Sequence, residues 1–466
     1  MRVAQKSISI LITIAIVLAF VDESIRKAIP SNPILVTAIK DIFIYSTFLI
    51  IFIKYGRDYN KYLIIFIPWF IYISLSVSYV YIIDGSLLHF VATFKTYFGI
   101  VASFLVGIYL SKQLKLFKKI KIIFIIGFTL AIAVGLLQEY YREYLPVFLS
   151  YRVYLDKHSL AGGNYVDSLF VSPTTFSIVC SVVLIYIFYI LIHNYKKNDK
   201  KRIYLYYMYI FLALTGILIS RMRAILFLLV IVSALILYIS TRTNNKNRQV
   251  IANIGIHFVI ILSISLPLLI LLSGNSFEPN NSLEKDIEFY GYLLNQEELL
   301  RRFTIVFSNF SFTDSNFLWG YGAGTCGRLL SFLNEENNIG NFVTDSGISL
   351  LFNEFGLLGT IVFLLPILHY MSIATFRIFQ YKRYERELVP AWGVTILLVF
   401  YFLFKSNNVL LNSFMQNIWF LSLGVMTGNM TKKVLKERTI IGNSKFKRLV
   451  IMKGYGKSKV FPLKSS

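Results

Sequence analysis

Charged side chains are in short supply in this chain. They make up 15% of its 466 residues, against 56% that are hydrophobic, whereas a soluble globular protein carries about a quarter. That shortage excludes a water-soluble fold. Carboxylates are the scarcer sign, 24 Asp and Glu against 47 Lys and Arg, for a net charge of +23. Such a balance suits nucleic acid, yet the basic residues sit in short segments between apolar runs. There, the sorting of positive charge to one face of a membrane accounts for them without a partner. No nucleic acid is expected. Cysteine is nearly absent: Cys180 falls inside an apolar run and Cys326 in a polar one, so a disulfide between them is not expected. No His and Cys cluster has the spacing of metal ligands, and no cofactor is expected.

Long apolar runs, by contrast, are abundant. They recur at the roughly 17–25 residues that a bilayer requires, and an open sheet would leave backbone groups unsatisfied in lipid. The expected fold is all-α: a polytopic transmembrane helical bundle, one membrane domain over 1–466 with about twelve spans. The runs place these near 7–22, 33–53, 62–82, 91–110, 122–137, 169–193, 203–220, 224–240, 250–272, 346–376, 388–404 and 414–429. The opening MRVAQK and the apolar run behind it resemble a signal peptide, but no convincing small-residue cleavage site follows, and the segment reads as an uncleaved first span. Of the Lys and Arg residues, 33 lie on the side that includes the N-terminus and 12 on the other, while Lys40 and Lys95 lie within spans. This asymmetry puts both termini in the cytoplasm. The basic tail at 430–466 is then cytoplasmic, an orientation signal attracted to anionic lipid.

Two external loops are long, one at 138–168 and one between the ninth and tenth spans at 273–345. Loops of that length are functional or disordered. The larger contains a helix candidate from Asn295, with Glu298 as a capping-box partner, whose segment QEELLRRFTIVFSNF is amphipathic and suited to lie on the membrane face. The charges expected inside spans fall in the external half. Lys40 and Asp41 lie roughly 10–12 Å deep at helical rise, Lys95 about five residues from the outer end of its span and Glu354 about nine residues into its own. This points to a polar cavity opening outward, although Lys40 and Asp41 can each pair with neighbours and Lys95 can snorkel. The external arginines are Arg142, Arg152, Arg221, Arg223, Arg301, Arg302 and Arg328, with Arg26 in the first loop. A guanidinium grips phosphate or carboxylate through two parallel hydrogen bonds, which suits an anionic lipid headgroup. For Arg301 and Arg302, helix-face salt bridges to Glu297 and Glu298 are an alternative. Arg221 and Arg223, in the hairpin ILISRMRAILF, have no acidic neighbour in sequence.

The stretch from Asn316 to Gly359 joins a Gly-rich polar loop to the entry of an apolar helix and carries two carboxylates, Asp345 and Glu354. At this point the sequence resembles the O-antigen polymerase and O-antigen ligase superfamily of polytopic membrane glycosyltransferases. TDSGISLLFNEFGLLG is similar to that family's signature, a polar residue at the mouth, then leucines, then a glycine pair; these fall on Asp345, Gly356 and Gly359. FLWGYGAG is similar to the turn ahead of the signature. ISRMRAILF resembles the Ser-Arg hairpin and puts the family's arginine on Arg221. YRVYLDKHSLAGG followed by LFVSPTTFS resembles the outer-loop arginine, glycine and Ser-Pro pattern, on Arg152, Gly163 and Pro173. The ligase branch usually has a histidine where this chain has Asp345, which favours the Wzy-type polymerase.

The resemblance implies a polymerase of O-antigen or capsule repeat units in the bacterial cytoplasmic (inner) membrane. It would move a growing glycan from undecaprenyl diphosphate onto a lipid-linked repeat unit at the outer face, with a chain-length regulator and a flippase as partners. A ligase delivering glycan to a lipid core acceptor is the alternative within the superfamily; a flippase or transporter of lipid-linked oligosaccharide is the alternative outside it. On the polymerase reading Asp345 takes the proton of the acceptor hydroxyl, Arg221 meets the diphosphate charge, and Arg152, Arg223, Arg301, Arg302 and Glu354 bind substrate. A helix N-cap role for Asp345 stays open. Arginine supplies positive charge without a metal, so a metal-independent enzyme is expected. A metal-dependent variant would want an external acidic pair, for which Asp22 with Glu23, and less well Asp314 with Asn316, are the candidates.

Overall fold

The computed structural model describes residues 2–28, 33–84, 87–141, 144–145, 166–170, 172–194, 200–220, 222–243, 255, 315–325, 347–380, 387–404 and 408–429. Every regular element among them is helical. In chain order these are α1 (Arg2–Ala28), α2 (Pro33–Leu63), α3 (Ile67–Asp84), α4 (Leu87–Lys112), α5 (Leu114–Tyr140), α6 (Pro173–Asn194), α7 (Lys200–Ile219) and α8 (Arg223–Thr243). There follow the short α9 (Ser315–Trp319), the long α10 (Gly347–Gln380), α11 (Leu388–Phe404), the single turn α12 (Asn408–Leu411) and α13 (residues 413–429). Seven helical runs among them are long and apolar enough to cross a membrane, and α1 and α11 contain shorter apolar helices at Gln5–Val21 and Leu388–Leu403. The expected count of about twelve spans rests in part on the run at 250–272, of which only Gly255 is described. Of the expected loop at 273–345 only 315–325 is described, and the tail at 430–466 lies outside the described residues.

One of the seven runs, Ile39–Ile83, contains a reversal. Tyr45 packs on Phe98 and Tyr55 on Tyr109, so α2 follows α4 in the same direction. Phe66 packs on Phe104, Phe70 on Phe98 and Tyr81 on Phe90, so α3 runs against it. The chain turns through a 3₁₀ segment at Ile64–Phe66. The polar segment KYGRDYNK, which falls between the expected spans at 33–53 and 62–82, is instead the last turns of α2. Its charged residues Lys54, Arg57, Asp58 and Lys61 lie on the exposed side, while Tyr55 and Tyr59 point inward onto Tyr109 and Lys112. Aromatic residues four apart share a helix face, and that face carries the helix onward.

Helix α4 is the axis of the bundle. Every residue from Gly99 to Ser111 is buried, the condition of a helix that is apolar all round. It packs on α2 and α3 and, most closely, on α13. A Cβ added at Gly107 would lie 2.4 Å from the Leu421 carbonyl oxygen, and one at Gly424 would lie 2.1 Å from that of Phe104. Gly428 meets Ser111 in the same register, so α4 and α13 run parallel with their backbones in contact. Small residues four apart are the means by which membrane helices approach this closely, since lipid supplies no hydrophobic drive between them.

The lysines and arginines whose side chains are described collect at one end of the bundle. They stand at the start of α1 (Lys6), the end of α2, the α4–α5 turn (Lys112, Lys115, Lys118, Lys119, Lys121), the start of α7 and the ends of α8 and α10. Only Lys40 and Lys95 lie in the other half. The start of α1 and the end of α13 both fall at this lysine-rich end.

Two glycines should respond oppositely to substitution. Gly424→Leu forces a side chain into the α4 backbone and should cost about 1–3 kcal/mol or more, lowering the unfolding midpoint in detergent. Gly56→Ala meets nothing closer than Asn60 Oδ1 at 3.9 Å and should hold or raise the midpoint, since alanine is the better helix former by about 0.5–1 kcal/mol.

Candidate functional site at the helix break

Helix α10 is broken inside the membrane region. Gly356 takes φ 62° and ψ −167°, a left-handed backbone open to glycine at little cost, and it divides α10 into a short first part and a long second part. Carbonyls just before such a break lose their helical partners, and in lipid each must find another donor. The turn after α9 supplies two. Tyr321 N–H donates to the Asn353 carbonyl at 2.8 Å and Gly322 N–H to the Glu354 carbonyl at 2.9 Å. The third comes from α3: the Tyr72 hydroxyl lies 2.6 Å from the Phe355 carbonyl and 2.9 Å from that of Trp319. Ser76 Oγ accepts from Ala323 N–H at 2.8 Å, so the turn is pinned to α3 as well.

The turn reaches the break because of its glycines. Gly320, Gly322 and Gly324 all have positive φ. Gly320 and Gly356 also exclude side chains from each other: a Cβ on the first would stand 2.5 Å from the Glu354 carbonyl group, and one on the second 2.4 Å from the Leu318 oxygen. The Gly-rich turn at 320–324 and the stretch around Gly356 are thus one structural unit.

Two buried carboxylates meet α4 close to this unit. Glu354, with no exposed surface, accepts a hydrogen bond from the Tyr97 hydroxyl. Trp69 and Phe355 close around Tyr97 with ring centroids 5.8 and 5.0 Å away, so the pair sits in an apolar jacket that strengthens it. Asp41 on α2 pairs with Lys95 at 2.5 Å, and Lys40 beside it is 2% exposed. The Lys95 carbonyl accepts from Tyr45 and the Thr96 carbonyl from Gln416 of α13. Three successive residues of α4, Lys95 to Tyr97, therefore serve α2, α13 and α10 in turn. The amide nitrogen of Asn353, 2% exposed, has no partner among the described residues, an arrangement that buried donors rarely keep without a purpose.

A second pairing lies at the α6 and α7–α8 ends. Ser220, which precedes Arg221, shares a hydrogen bond with Ser177 of α6, and Thr174 Oγ1 approaches Met222 Sδ at 3.4 Å. The hairpin carrying Arg221 is thereby held against the start of α6, next to Pro173. Ser168, at a φ of 57°, fixes the segment before α6 by accepting from and donating to the Gln138 amide at 3.0 and 2.7 Å.

Of the residues expected at the site, Glu354 is the one whose side chain is described. Arg223 opens α8, its side chain outside the description. Arg152, Arg221, Arg301, Arg302 and Asp345 lie outside the described residues, as do Arg142, Arg328, Cys326 and the helix expected from Asn295. Tyr72, Tyr97 and Gln416 were not anticipated.

The helices make this chain a multi-pass membrane protein, built around a discontinuous helix with a buried carboxylate at the discontinuity. No family model matches it, and neither curated proteins nor solved structures yield a match.

Removing the Tyr97 hydroxyl should be costly. Tyr97→Phe takes a donor from a buried carboxylate and should destabilise by about 1–3 kcal/mol. A Tyr97→Phe and Glu354→Leu double variant, which removes both polar partners, should cost less than the two single changes summed. Additive losses in chemical unfolding would show that the two groups do not act together.

Proposed function

We propose that the chain is a polysaccharide polymerase, moving a growing glycan from undecaprenyl diphosphate to a lipid-linked repeat unit at the outer face of a bacterial cytoplasmic membrane. The observation that carries this reading is the way segments resembling one superfamily join in space. The Gly-rich turn closes on the break at Gly356, and the Arg221 hairpin closes on the Pro173 segment. Both junctions lie away from the lysine-rich end. By the positive-inside rule that end faces the cytoplasm, which makes the junctions external and both termini internal.

On this reading the break serves to position. It ends the first part of α10 in a structure held from three sides, and Asp345 stands two residues ahead of that part. Glu354 is too enclosed to touch a sugar here; its role is to hold the entry of α10 against α4 through Tyr97. Asp345 accepts the proton of the attacking sugar hydroxyl, and Arg221 neutralises the departing diphosphate, with Arg152, Arg223, Arg301 and Arg302 gripping substrate. Charge on the leaving group is met by guanidinium groups, which bind two phosphate oxygens at once.

A transporter of lipid-linked oligosaccharide is the second reading, favoured by one feature: helices broken at mid-membrane are a common way to build a transport site. Against it, the described lysines and carboxylates buried within the helices, Lys40, Asp41 and Glu354, lie in one half of the bundle. The buried polar side chains of the other half, such as Ser111, Thr427 and Asn429, carry no charge.

Purified protein in detergent, given lipid-linked repeat units, separates the two readings. A polymerase lengthens the glycan there; a transporter, which needs a sealed membrane, does not. In that assay Asp345→Asn should abolish long chains, because Asn caps a helix as well as Asp but is a far poorer base. Arg221→Lys should lower the rate on the order of tenfold or more, having kept the charge and lost the fork. Topology is checked separately: an impermeant thiol reagent should label Cys326 in intact spheroplasts, and labelling only after permeabilisation would reverse the orientation.

A further inference from the structure

A cavity of about 180 Å³ lies between α1, α2, α4, α5, α6 and α13, apart from the break in α10. Its wall is almost wholly apolar, formed by side chains such as Ile12, Ala15, Ile120, Phe124, Val183 and Ile418. Among the few polar groups there, Ser103 Oγ already donates to Asn417 Oδ1 at 2.6 Å and Thr47 Oγ1 to the Phe43 carbonyl at 2.7 Å. Water would find few partners in such a space, and apolar cavities of this kind stay dry and take up hydrocarbon. The cavity is also within reach of the bilayer. Ile16, Phe124 and Ile125 on its wall are only half-buried, and Ile122 and Ile126, a step further round α5, are exposed.

The polar environment at one end narrows the choice of occupant. Lys121 forms part of the wall and pairs with Glu387 at 2.6 Å. Over the preceding turns α5 divides cleanly: Phe117 and Ile120 enter the cavity, while Lys115, Lys118 and Lys119 are exposed and have no partner among the described residues. One stretch of helix thus offers an apolar slot and, at the lysine-rich end, cations at the level where lipid headgroups lie. Exposed lysines beside a membrane attract anionic headgroups.

We propose that this cavity is a binding site for an anionic phospholipid, one acyl chain entering between α1, α5 and α6 and the headgroup resting on Lys115, Lys118 and Lys119. The site does not depend on the polymerase reading. The lipid fills the void between α1 and the rest of the bundle, so that α1 is held through hydrocarbon there.

The test uses the full chain, reconstituted with phosphatidylglycerol that carries a photoreactive group on its acyl chain, with labelled peptides mapped by mass spectrometry. Label is expected on Ile12–Ala19 of α1 and Val182–Ile190 of α6. Label confined to outward positions such as Ile122 and Ile126 would overturn the site. Ala15→Phe narrows the cavity and should lower label on the two inner peptides severalfold relative to the Ile122–Ile126 face, which serves as the control for folding and insertion. An unchanged ratio would count against the site, and if this variant does not fold, the parent map alone decides. Lys118→Gln with Lys119→Gln should remove the preference for phosphatidylglycerol over phosphatidylethanolamine probes. Equal labelling by both in the parent would refute the headgroup assignment. Displacement by a long-chain polyprenyl phosphate, with none by excess unlabelled phosphatidylglycerol, would give the cavity to a different lipid.

Discussion

The packing around the break in α10 follows from three carbonyls that cannot be left bare in lipid. Once Gly356 breaks α10, the oxygens of Asn353, Glu354 and Phe355 need donors from elsewhere, and they obtain them from Tyr321, Gly322 and Tyr72. An unsatisfied group there would cost several kcal/mol. That requirement brings the Gly-rich turn into the helical bundle and fixes it to α3. It also leaves Glu354 facing α4 instead of solvent.

Helix α4 is where these demands are reconciled. It is buried on all sides over its second half, backbone against backbone with α13 at Gly107 and Gly424. A turn earlier it changes character and meets one carboxylate through Lys95 and another through Tyr97. A rigid apolar half thus supports a polar half. Charged groups placed on such a support lose little freedom on pairing, because the packing has already set their geometry.

The sequence made some of this legible. The helical class follows from apolar runs of membrane length, and the depth of Lys40, Asp41, Lys95 and Glu354 follows from counting residues along those runs. The partner of Asp41 does not: Lys40 is its neighbour in sequence, but the ion pair goes to Lys95 on another helix. KYGRDYNK reads as a loop by its polarity, yet it stays helical because Tyr55 and Tyr59 share an inward face. The break at Gly356 has a faint signature, since NEFGLLG also suits an unbroken helix; the clustered glycines at 320, 322 and 324 were the better sign of a close backbone approach. Tyr72 and Tyr97 were hidden among 31 tyrosines, with no local pattern to separate them from the rest.

The clamp on α10 has an order in time. Tyr72, Tyr321 and Gly322 all precede α10 in the chain, so a ribosome makes every donor before it makes the carbonyls that need them. When the first part of α10 enters the membrane, its receptor is already synthesised. The break therefore never has to wait in hydrocarbon for a segment still to be translated. Moving the Gly-rich turn behind α10, as in a circular permutant, would keep every native contact and yet expose the nascent helix to a period in which its broken end has no partner.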